Sequence, residues 1–273
     1  VSVKAALVGQ GGVAIGSVVG SNIANLALIV GVSASISPMA VDRNLVRHDM
    51  PVMLGSMVLL IIFLIDGELG RIEGGILFAA AIAYTFESIR ASRKQTRKER
   101  SAEASAEARS IAEGSEPAVQ TDAVVPAPVW RNLLFVIGGI ALLVYGADLL
   151  LTGAVELATQ LGVSEAIIGL TLVALGTSLP ELATTVVAAF RGHGEIALGN
   201  ALGSNIFNVF GVLGPTALTI PLVGSDIGPD VLAIMVLIAV LTLIFLTTGG
   251  KTRRWEGGVL LTAYVAYLWW VVP

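Results

Sequence analysis

The hexad Gly-Thr-Ser-Leu-Pro-Glu at 176–181 places two hydroxyls, a proline and a carboxylate inside a long apolar stretch of the chain. On a helix, Thr177 and Ser178 lie four and three residues before Glu181, so the three side chains share one face. Pro180 has no N–H, and its ring crowds the carbonyl four residues earlier, which loses its helical partner. Carboxylate, hydroxyl and backbone oxygens are the ligands that Ca²⁺ prefers, and Na⁺ by the same logic. The hexad is therefore a candidate cation-binding segment.

A second polar motif, Gly-Ser-Asn-Ile-x-Asn, occurs twice. Ser21 and Asn25 are four residues apart in the first copy, as are Ser204 and Asn208 in the second, so each pair presents two neutral oxygens on one helical face. Neither motif contains His or Cys, which disfavours a softer metal such as zinc. A single Ser or Asn in a membrane helix often only holds helices together, so these residues are candidate ligands in combination with Glu181.

The composition indicates that lipid surrounds these motifs. Hydrophobic residues make up 55% of the chain and charged residues 13%, against about 25% charged in an average soluble domain. The mean hydropathy is +0.85. The chain has no cysteine, which excludes disulfides and thiolate metal sites. An ionisable side chain inside a membrane is costly and functional by default, which makes Glu181 the strongest single candidate.

Eight apolar runs are long enough to cross a bilayer as helices of about 20 residues, and residues 1–10 look like the end of another. The chain starts inside this pattern at Val1 and not at Met, so we expect an N-terminally truncated sequence with about eight and a half spans. The eight predicted spans are 13–34, 50–66, 72–90, 132–152, 164–190, 195–219, 229–248 and 255–273.

The chain repeats itself at an offset of 183 residues. Residues 1–31 align with 184–214 without a gap, and 13 of the 31 positions are identical. Residues 71–84 align with 254–267 at the same offset. Two distant matches that share one offset indicate a duplicated membrane unit.

The positions of Lys and Arg indicate that the two repeats are inverted. If the loops that hold most of them are cytoplasmic, the positive-inside rule is satisfied. The loop at 43–47 and its repeat equivalent near 226–230 must then lie on opposite faces of the membrane, which fits five spans per repeat. Fourteen of the 16 Lys and Arg residues lie at 43–47, 90–131, 191 and 251–254.

Residues 91–129 differ from the spans because they are charged and rich in Ala and Glu, and then rich in Pro. We predict that the first part extends a helix into water and that the rest is a flexible cytoplasmic linker, too short for a regulatory domain. On this scheme residues 1–90 hold the end of the second helix and the third to fifth, and 130–273 hold the sixth to tenth. The fold class is an all-α polytopic protein of the cell (inner) membrane.

Inverted repeats with Gly- or Pro-interrupted helices are typical of secondary transporters, whose sites lie near the bilayer midplane. An intramembrane enzyme with Ser178 as nucleophile would need a base, and no His or Lys lies within reach by spacing. A helical packing module without transport leaves Glu181 unexplained. We therefore expect a transporter and no enzyme.

The segment at 169–211, GLTLVALGTSLPELATTVVAAFRGHGEIALGNALGSNIFNVFG, closely resembles the α-repeat of the sodium/calcium exchanger (cation/calcium antiporter) superfamily, prokaryotic type. Residues 13–25 look like the second half of the other α-repeat. The resemblance implies ten helices in two inverted halves, with ions bound between the second, third, seventh and eighth. By that resemblance the ligands are the Ala174 carbonyl and the side chains of Thr177, Ser178, Glu181, Ser204, Asn208, Ser21 and Asn25.

The sequence departs from the family pattern in two places. The first hexad of the family is absent, because its Glu would fall at −2, before Val1. With one carboxylate, residues 1–273 alone are expected neither to bind Ca²⁺ tightly nor to exchange it. Position 208 is Asn where some members carry Asp, and potassium-dependent exchangers resemble the Asp version, so Asn208 favours independence from potassium.

The resulting functional hypothesis is an antiporter that exchanges Ca²⁺ for Na⁺ across the membrane by alternating access. The alternative is a Ca²⁺/H⁺ antiporter of the same fold, with Glu181 as the proton carrier. We expect no resident cofactor, since Ca²⁺ and Na⁺ are the transported ions, and no nucleic-acid partner. The expected surroundings are the lipid bilayer, the expected functional state is a monomer, and the glycine-rich span 132–152 is a candidate moving element.

Overall fold

The computed structural model describes residues 2–7, 9–42, 45–112, 129–224 and 227–271. This part of the chain is almost entirely helical, and four segments are π-helical, with hydrogen bonds between residues five apart. In chain order the elements are α1 (Ser2–Leu7), α2 (Gly11–Ile23), π1 (Ala24–Ile29), α3 (Val30–Ile36), π2 (Leu45–Asp49), α4 (Met50–Phe63), β1 (Glu68–Leu69), α5 (Arg71–Ala112), α6 (Val129–Gln160), α7 (Glu165–Ile168), π3 (Gly169–Val173), α8 (Ala174–Phe190), α9 (Gly194–Phe207), π4 (Asn208–Leu213), α10 (Gly214–Thr219), β2 (Leu222–Val223), α11 (Pro229–Thr247) and α12 (Arg254–Val271).

Every predicted span is helical, and most boundaries agree to within a few residues. α6 is longer than the predicted span 132–152, and the predicted span 255–273 is α12. Arg254 and Glu256 lie in the first turn of α12, and their charges lower the mean hydropathy of this helix. Exposed tryptophans lie near both ends of α12, as in an aromatic belt. Six helices of the described residues are long and apolar enough to cross a membrane: Gly11–Ile36, Leu45–Phe63, Arg71–Arg93, Ala166–Phe190, Ile196–Thr219 and Pro229–Thr247.

α5 continues far beyond the apolar span 72–90 and ends at Ala112. The first part of the segment predicted as a linker is therefore helical, which agrees with the expectation of a helix that extends into water. Residues 113–128 lie outside the described part of the chain, so the flexibility predicted for the rest of the linker stays a prediction.

The chain forms two compact units, one of residues 1–81 and 140–273 and one of residues 82–139. The smaller unit contains the C-terminal part of α5 and the first part of α6. The larger unit contains all the predicted ligands. At its centre lies α2, in which every residue from Gly12 to Ile23 is buried. A helix that is enclosed on all sides belongs to the core of a larger helical assembly.

The contacts between the repeats occur in equivalent pairs. Glu68 of β1 pairs with Val223 of β2, and Ala40 forms an isolated bridge with Lys251. Adding the repeat offset of 183 to 40 gives 223, and subtracting it from 251 gives 68, so the second contact is the first with the repeats exchanged. Such reciprocity is the property of a two-fold relation. The bridge joins two loop regions predicted to be cytoplasmic, and the strand pair joins two predicted to lie outside, as inverted repeats require.

Two glycines let α2 approach π3 and α8 closely. The Cα of Gly20 faces the carbonyl of Leu170, and a methyl group added there would lie 2.7 Å from the Cβ of Ala174. A methyl group at Gly16, one turn earlier, would lie 3.2 Å from the carbonyl oxygen of Ala166. Small residues spaced in this way bring two backbones together in membranes. The repeat equivalent of Gly20 is Gly203, where an added methyl group would meet no described atom within 4 Å outside the backbone of its own helix.

Gly20→Ala is expected to destabilise the protein by about 1–3 kcal/mol, because the new methyl group overpacks the contact with π3 and α8. Gly55→Ala is the matched control, since a methyl group there meets nothing within 4 Å and alanine favours a helix over glycine. Heating in detergent followed by fluorescence-detected size exclusion measures both variants. A Gly20→Ala protein with the melting temperature of the wild type would contradict this account of the packing.

Candidate cation-binding site

Three of the predicted ligands form one hydrogen-bonded cluster where α8 begins. The Ser21 hydroxyl of α2 donates to the carbonyl of Ala174 at 3.1 Å. The Thr177 hydroxyl lies 2.8 Å from that of Ser21 and 3.0 Å from the carbonyl oxygens of both Ala174 and Val173, and its single proton serves one of these acceptors at a time. The close contact at Gly20 places Ser21 here, because Ser21 is the next residue of α2. Two hydroxyls and one carbonyl from distant parts of the chain thus share one small volume.

Glu181 lies one turn beyond Thr177 and lines a cleft of about 310 Å³ between α8 and α9. Ser204 and Asn208, two further predicted ligands, line the same cleft. The Oε2 atom of Glu181 is buried and accepts no hydrogen bond from the described residues. A buried charged oxygen without a partner is costly, and a bound cation removes that cost.

Four asparagines meet between the repeats at the two-fold axis. The side-chain amide of Asn25 donates to Oδ1 of Asn205 at 2.8 Å, and that of Asn208 donates to Oδ1 of Asn22 at 3.1 Å. These two bonds are equivalent at the offset of 183. The amide of Asn205 also donates to the carbonyl of its own equivalent, Asn22, at 3.3 Å. Oδ1 of Asn25 is buried and has no partner among the described residues.

The predicted ligands are therefore distributed over three adjoining groups. Ser21 and Asn25, predicted to share one face, belong to different groups, because Ser21 contacts α8 and Asn25 contacts α9. Ser178 is 3% exposed but shares no hydrogen bond with the other predicted ligands in the described part of the chain. Whether these residues bind ions stays a prediction.

The spacing rule that selected Ser21, Asn25, Ser204 and Asn208 did not select Asn22 and Asn205. Both are present in the repeated Gly-Ser-Asn-Ile-x-Asn motif, and both are fully buried. Their presence in both copies of the motif was the available signal. The four-residue spacing rule did not select Asn22 and Asn205 because it considers one face of a single helix and not the contact between two helices.

The π-helical segments adjoin the predicted ligands. π1 contains Asn25, π4 begins at Asn208, and π3 ends immediately before Ala174. π1 and π4 are equivalent at the repeat offset to within one residue. Single π-turns inside helices occur frequently at functional sites, and here they change the direction in which the polar side chains leave their helices.

The free oxygens suit a hard cation. Three buried side-chain oxygens lack a partner among the described residues, on Glu181, Asn25 and Ser33. The Glu181 oxygen, as a carboxylate, and the Asn25 oxygen can only accept, and a carboxylate with neutral oxygens is the ligand set of Ca²⁺. In the described residues no group of three or more His, Cys, Asp or Glu side chains could hold a metal ion. The arrangement thus offers one carboxylate surrounded by neutral oxygens.

Comparison with known proteins identifies the family of the chain. The family profile described as "Sodium/calcium exchanger protein" matches residues 1–90 and 131–272. The chain is 37% identical to the sodium/calcium exchanger MaX1 of Methanosarcina acetivorans, over 98% of this chain and 82% of that protein. It is 32% identical to the inner membrane protein YrbG of Escherichia coli, over 100% of this chain and 82% of that protein.

A solved structure shares the fold. The structure of the sodium-calcium exchanger NCX_Mj soaked with Na⁺ and Sr²⁺ superposes with a TM-score of 0.72 at 32% identity, and it covers 98% of this chain and 79% of that one. The all-helical architecture of two inverted repeats is thus that of a multi-pass membrane exchanger, and the chain belongs to the sodium/calcium exchanger protein family.

Proposed function

We propose that this protein is a secondary active antiporter that exchanges Ca²⁺ for Na⁺ by alternating access. The observation that carries the proposal is two buried acceptor oxygens without donors, one on Glu181 in the cleft between α8 and α9 and one on Asn25 at the contact between the repeats. Similarity to proteins named sodium/calcium exchangers supports the choice of ions.

Competition between the two ions for one set of oxygens couples their movements. The proposed ligands are all oxygens, which both ions accept, and none distinguishes a divalent from a monovalent ion by softness. Na⁺ and Ca²⁺ compete for the same oxygens around one carboxylate, so occupancy by one ion excludes the other. The proposed ligands are the Ala174 carbonyl and the side chains of Thr177, Ser178, Glu181, Ser204, Asn208, Ser21 and Asn25.

The two-fold relation supplies two equivalent openings for alternating access. An inverted pair of repeats can interchange their conformations, which turns an outward opening into an inward one around an unmoved site. α6 is the proposed moving element, because its predicted span 132–152 contains Gly138, Gly139 and Gly146. We further propose a functional monomer in the cell (inner) membrane with residues 91–129 in the cytoplasm.

The coupling ion is tested with full-length protein in proteoliposomes. An outward-directed Na⁺ gradient at equal pH on both sides is expected to drive uptake of ⁴⁵Ca²⁺, and removal of Na⁺ is expected to abolish it. The Ca²⁺/H⁺ alternative predicts that a pH gradient drives uptake without Na⁺. Uptake that follows only the pH gradient would therefore assign Glu181 to proton transport and reject Na⁺ coupling.

Glu181→Gln is expected to lower Ca²⁺ transport at least about 100-fold while the protein stays folded. The change removes the negative charge of the cleft, and removal of one partner of a buried charge pair costs about 3–5 kcal/mol. Glu156→Gln is the control, because Glu156 lies exposed on α6 away from the cleft. Transport by Glu181→Gln at the rate of the control would remove Glu181 from the site.

Asn208 is expected to make transport indifferent to K⁺, because a neutral amide adds no charge to the cleft. Asn208→Asp places a second carboxylate beside Glu181, which is expected to raise the affinity for divalent ions and can introduce sensitivity to K⁺. Initial rates of ⁴⁵Ca²⁺ uptake with and without K⁺ compare the two proteins. A wild type that requires K⁺ would contradict the role given to the amide.

A further inference from the structure

Asn22 and Asn205 lie at the two-fold axis, and both side chains are fully buried. We propose that they are positioning residues, each of which orients the side-chain amide of a cation ligand in the opposite repeat. Asn205 orients Asn25, and Asn22 orients Asn208, so that both ligand carbonyl oxygens point to the ion. The proposal rests on the proposed function of the site.

The first chain of contacts begins at Met53 of α4. Asn205 directs its amide N–H toward the sulfur of Met53 at 3.6 Å and toward the carbonyl of Asn22 at 3.3 Å. Its Oδ1 then accepts from the amide of Asn25 at 2.8 Å. Because the nitrogen of Asn25 is engaged, its oxygen is the free end, and that oxygen is buried without a partner.

The second chain begins at Met235 of α11, on the other side of the axis. Asn22 directs its amide N–H toward the sulfur of Met235 at 4.0 Å, and its Oδ1 accepts from the amide of Asn208 at 3.1 Å. The oxygen of Asn208 is again the free end, and Asn208 lines the cleft that contains Glu181. The two chains run in the same order, from thioether to axis amide to ligand amide.

The order has a physical cause. A thioether sulfur can only accept, so it attracts the N–H₂ end of the neighbouring amide. The amide of the axis asparagine therefore directs its oxygen toward the amide of the ligand asparagine, which donates its N–H to that oxygen. Within the membrane no water competes for these groups. An amide with its oxygen and N–H₂ group exchanged would therefore place donor against donor and acceptor against acceptor. The sulfur atoms of Met53 and Met235 thus fix the orientation of the axis amides, and the axis amides in turn fix the orientation of the ligand oxygens.

Orientation matters because the two ends of an amide act oppositely on a cation. The carbonyl oxygen binds it and the N–H₂ group repels it. Partners outside the ligand set that orient ligands typically change metal affinity 10–100-fold when they are removed. Loss of an axis amide is therefore expected to weaken ion binding without removing any ligand.

The test uses Asn22→Leu and Asn205→Leu, which keep the approximate shape of the side chain and remove its oxygen acceptor. Each is expected to raise the KM for Ca²⁺ in proteoliposomes about 10–100-fold with Vmax retained at saturating Ca²⁺, and to raise the Kd from calorimetric titration of Ca²⁺ by the same factor. Asn22→Asp keeps an acceptor oxygen, so its KM is expected not to exceed that of the wild type.

Thr242→Val is the matched control. Thr242 is buried on the same helix as Met235, and its hydroxyl donates to the carbonyl of Ile238 within that helix. The variant loses a buried hydrogen bond that is unconnected to the amides, so its KM for Ca²⁺ is expected to equal that of the wild type. A general effect of removing buried polar groups would raise KM in Thr242→Val as well and would overturn the proposal.

The pairing across the repeats gives a second test. Asn22→Leu combined with Asn208→Ala is expected to raise KM no further than Asn208→Ala alone, because the amide to be oriented is gone. Asn25 belongs to the other series of contacts, the one through Asn205. When Asn22→Leu is combined with Asn25→Ala, the two increases in KM are therefore expected to multiply. Multiplication in both pairs would overturn the assigned partners.

Met235→Leu decides the matter if the leucine variants at the axis do not fold. It conserves volume and removes only the sulfur acceptor, and a rise of KM about 2–5-fold is expected because sulfur is a weak acceptor. An unchanged KM in Met235→Leu would then overturn the proposal. These variants, like the wild type, are made in the full-length protein. A full-length wild type that does not transport Ca²⁺ rejects the proposed function, whereas a transporting wild type with unaffected variants rejects the positioning role alone.

Discussion

In the interior of a bilayer a polar group has no water to bond with, so it must find a partner in the protein or in a bound ion. Most of the polar atoms around the centre of the larger unit meet this condition. The carbonyl of Ala174 lies within hydrogen-bond distance of two hydroxyls, and the amide nitrogens of Asn25 and Asn208 are both engaged. Among the oxygens left over are those of Glu181, as a carboxylate, and Asn25, which can only accept. A cation is the partner that we propose for these two oxygens.

Because the repeats are related by a two-fold axis, polar groups find equivalent partners on both sides of that axis. The bridge of Ala40 with Lys251 repeats the pairing of Val223 with Glu68, and each axis asparagine accepts from a ligand of the other repeat. A transporter must present one site to two compartments. Equivalent halves in opposite orientation provide that property without two separate designs, because each half can adopt the conformation of the other.

The glycines and the π-helical segments determine where the oxygens lie. Gly20 allows α2 to approach π3 so closely that the hydroxyl of the next residue reaches the carbonyl of Ala174. The extra residue in each π-turn rotates the following side chains by about 100° relative to a continuous α-helix. π1 begins after Ser21, which contacts α8, and includes Asn25, which contacts α9.

The sequence by itself determined the surrounding solvent, the duplication of the membrane unit, the inverted orientation of the two copies and the residue types proposed as cation ligands. Composition indicated lipid, the offset of 183 residues indicated duplication, and the positions of Lys and Arg indicated inversion. These properties depend on residue types and on spacing along the chain, which a sequence displays directly. The boundaries of most spans followed from the same apolar pattern, because the thickness of the bilayer limits the length of each helix.

The tertiary structure alone decided which polar groups meet. The contacts of Asn22 with Asn208 and of Asn25 with Asn205 join residues 186 and 180 positions apart. Such contacts depend on the rotation and the crossing distance of packed helices, and no local periodicity reports either quantity. The π-turns were also absent from the prediction, because the same apolar residues are compatible with α-helix and π-helix. The spacing of residues thus selected oxygen ligands, while the packing of α2 against α8 and α9 decided which oxygens are left for an ion.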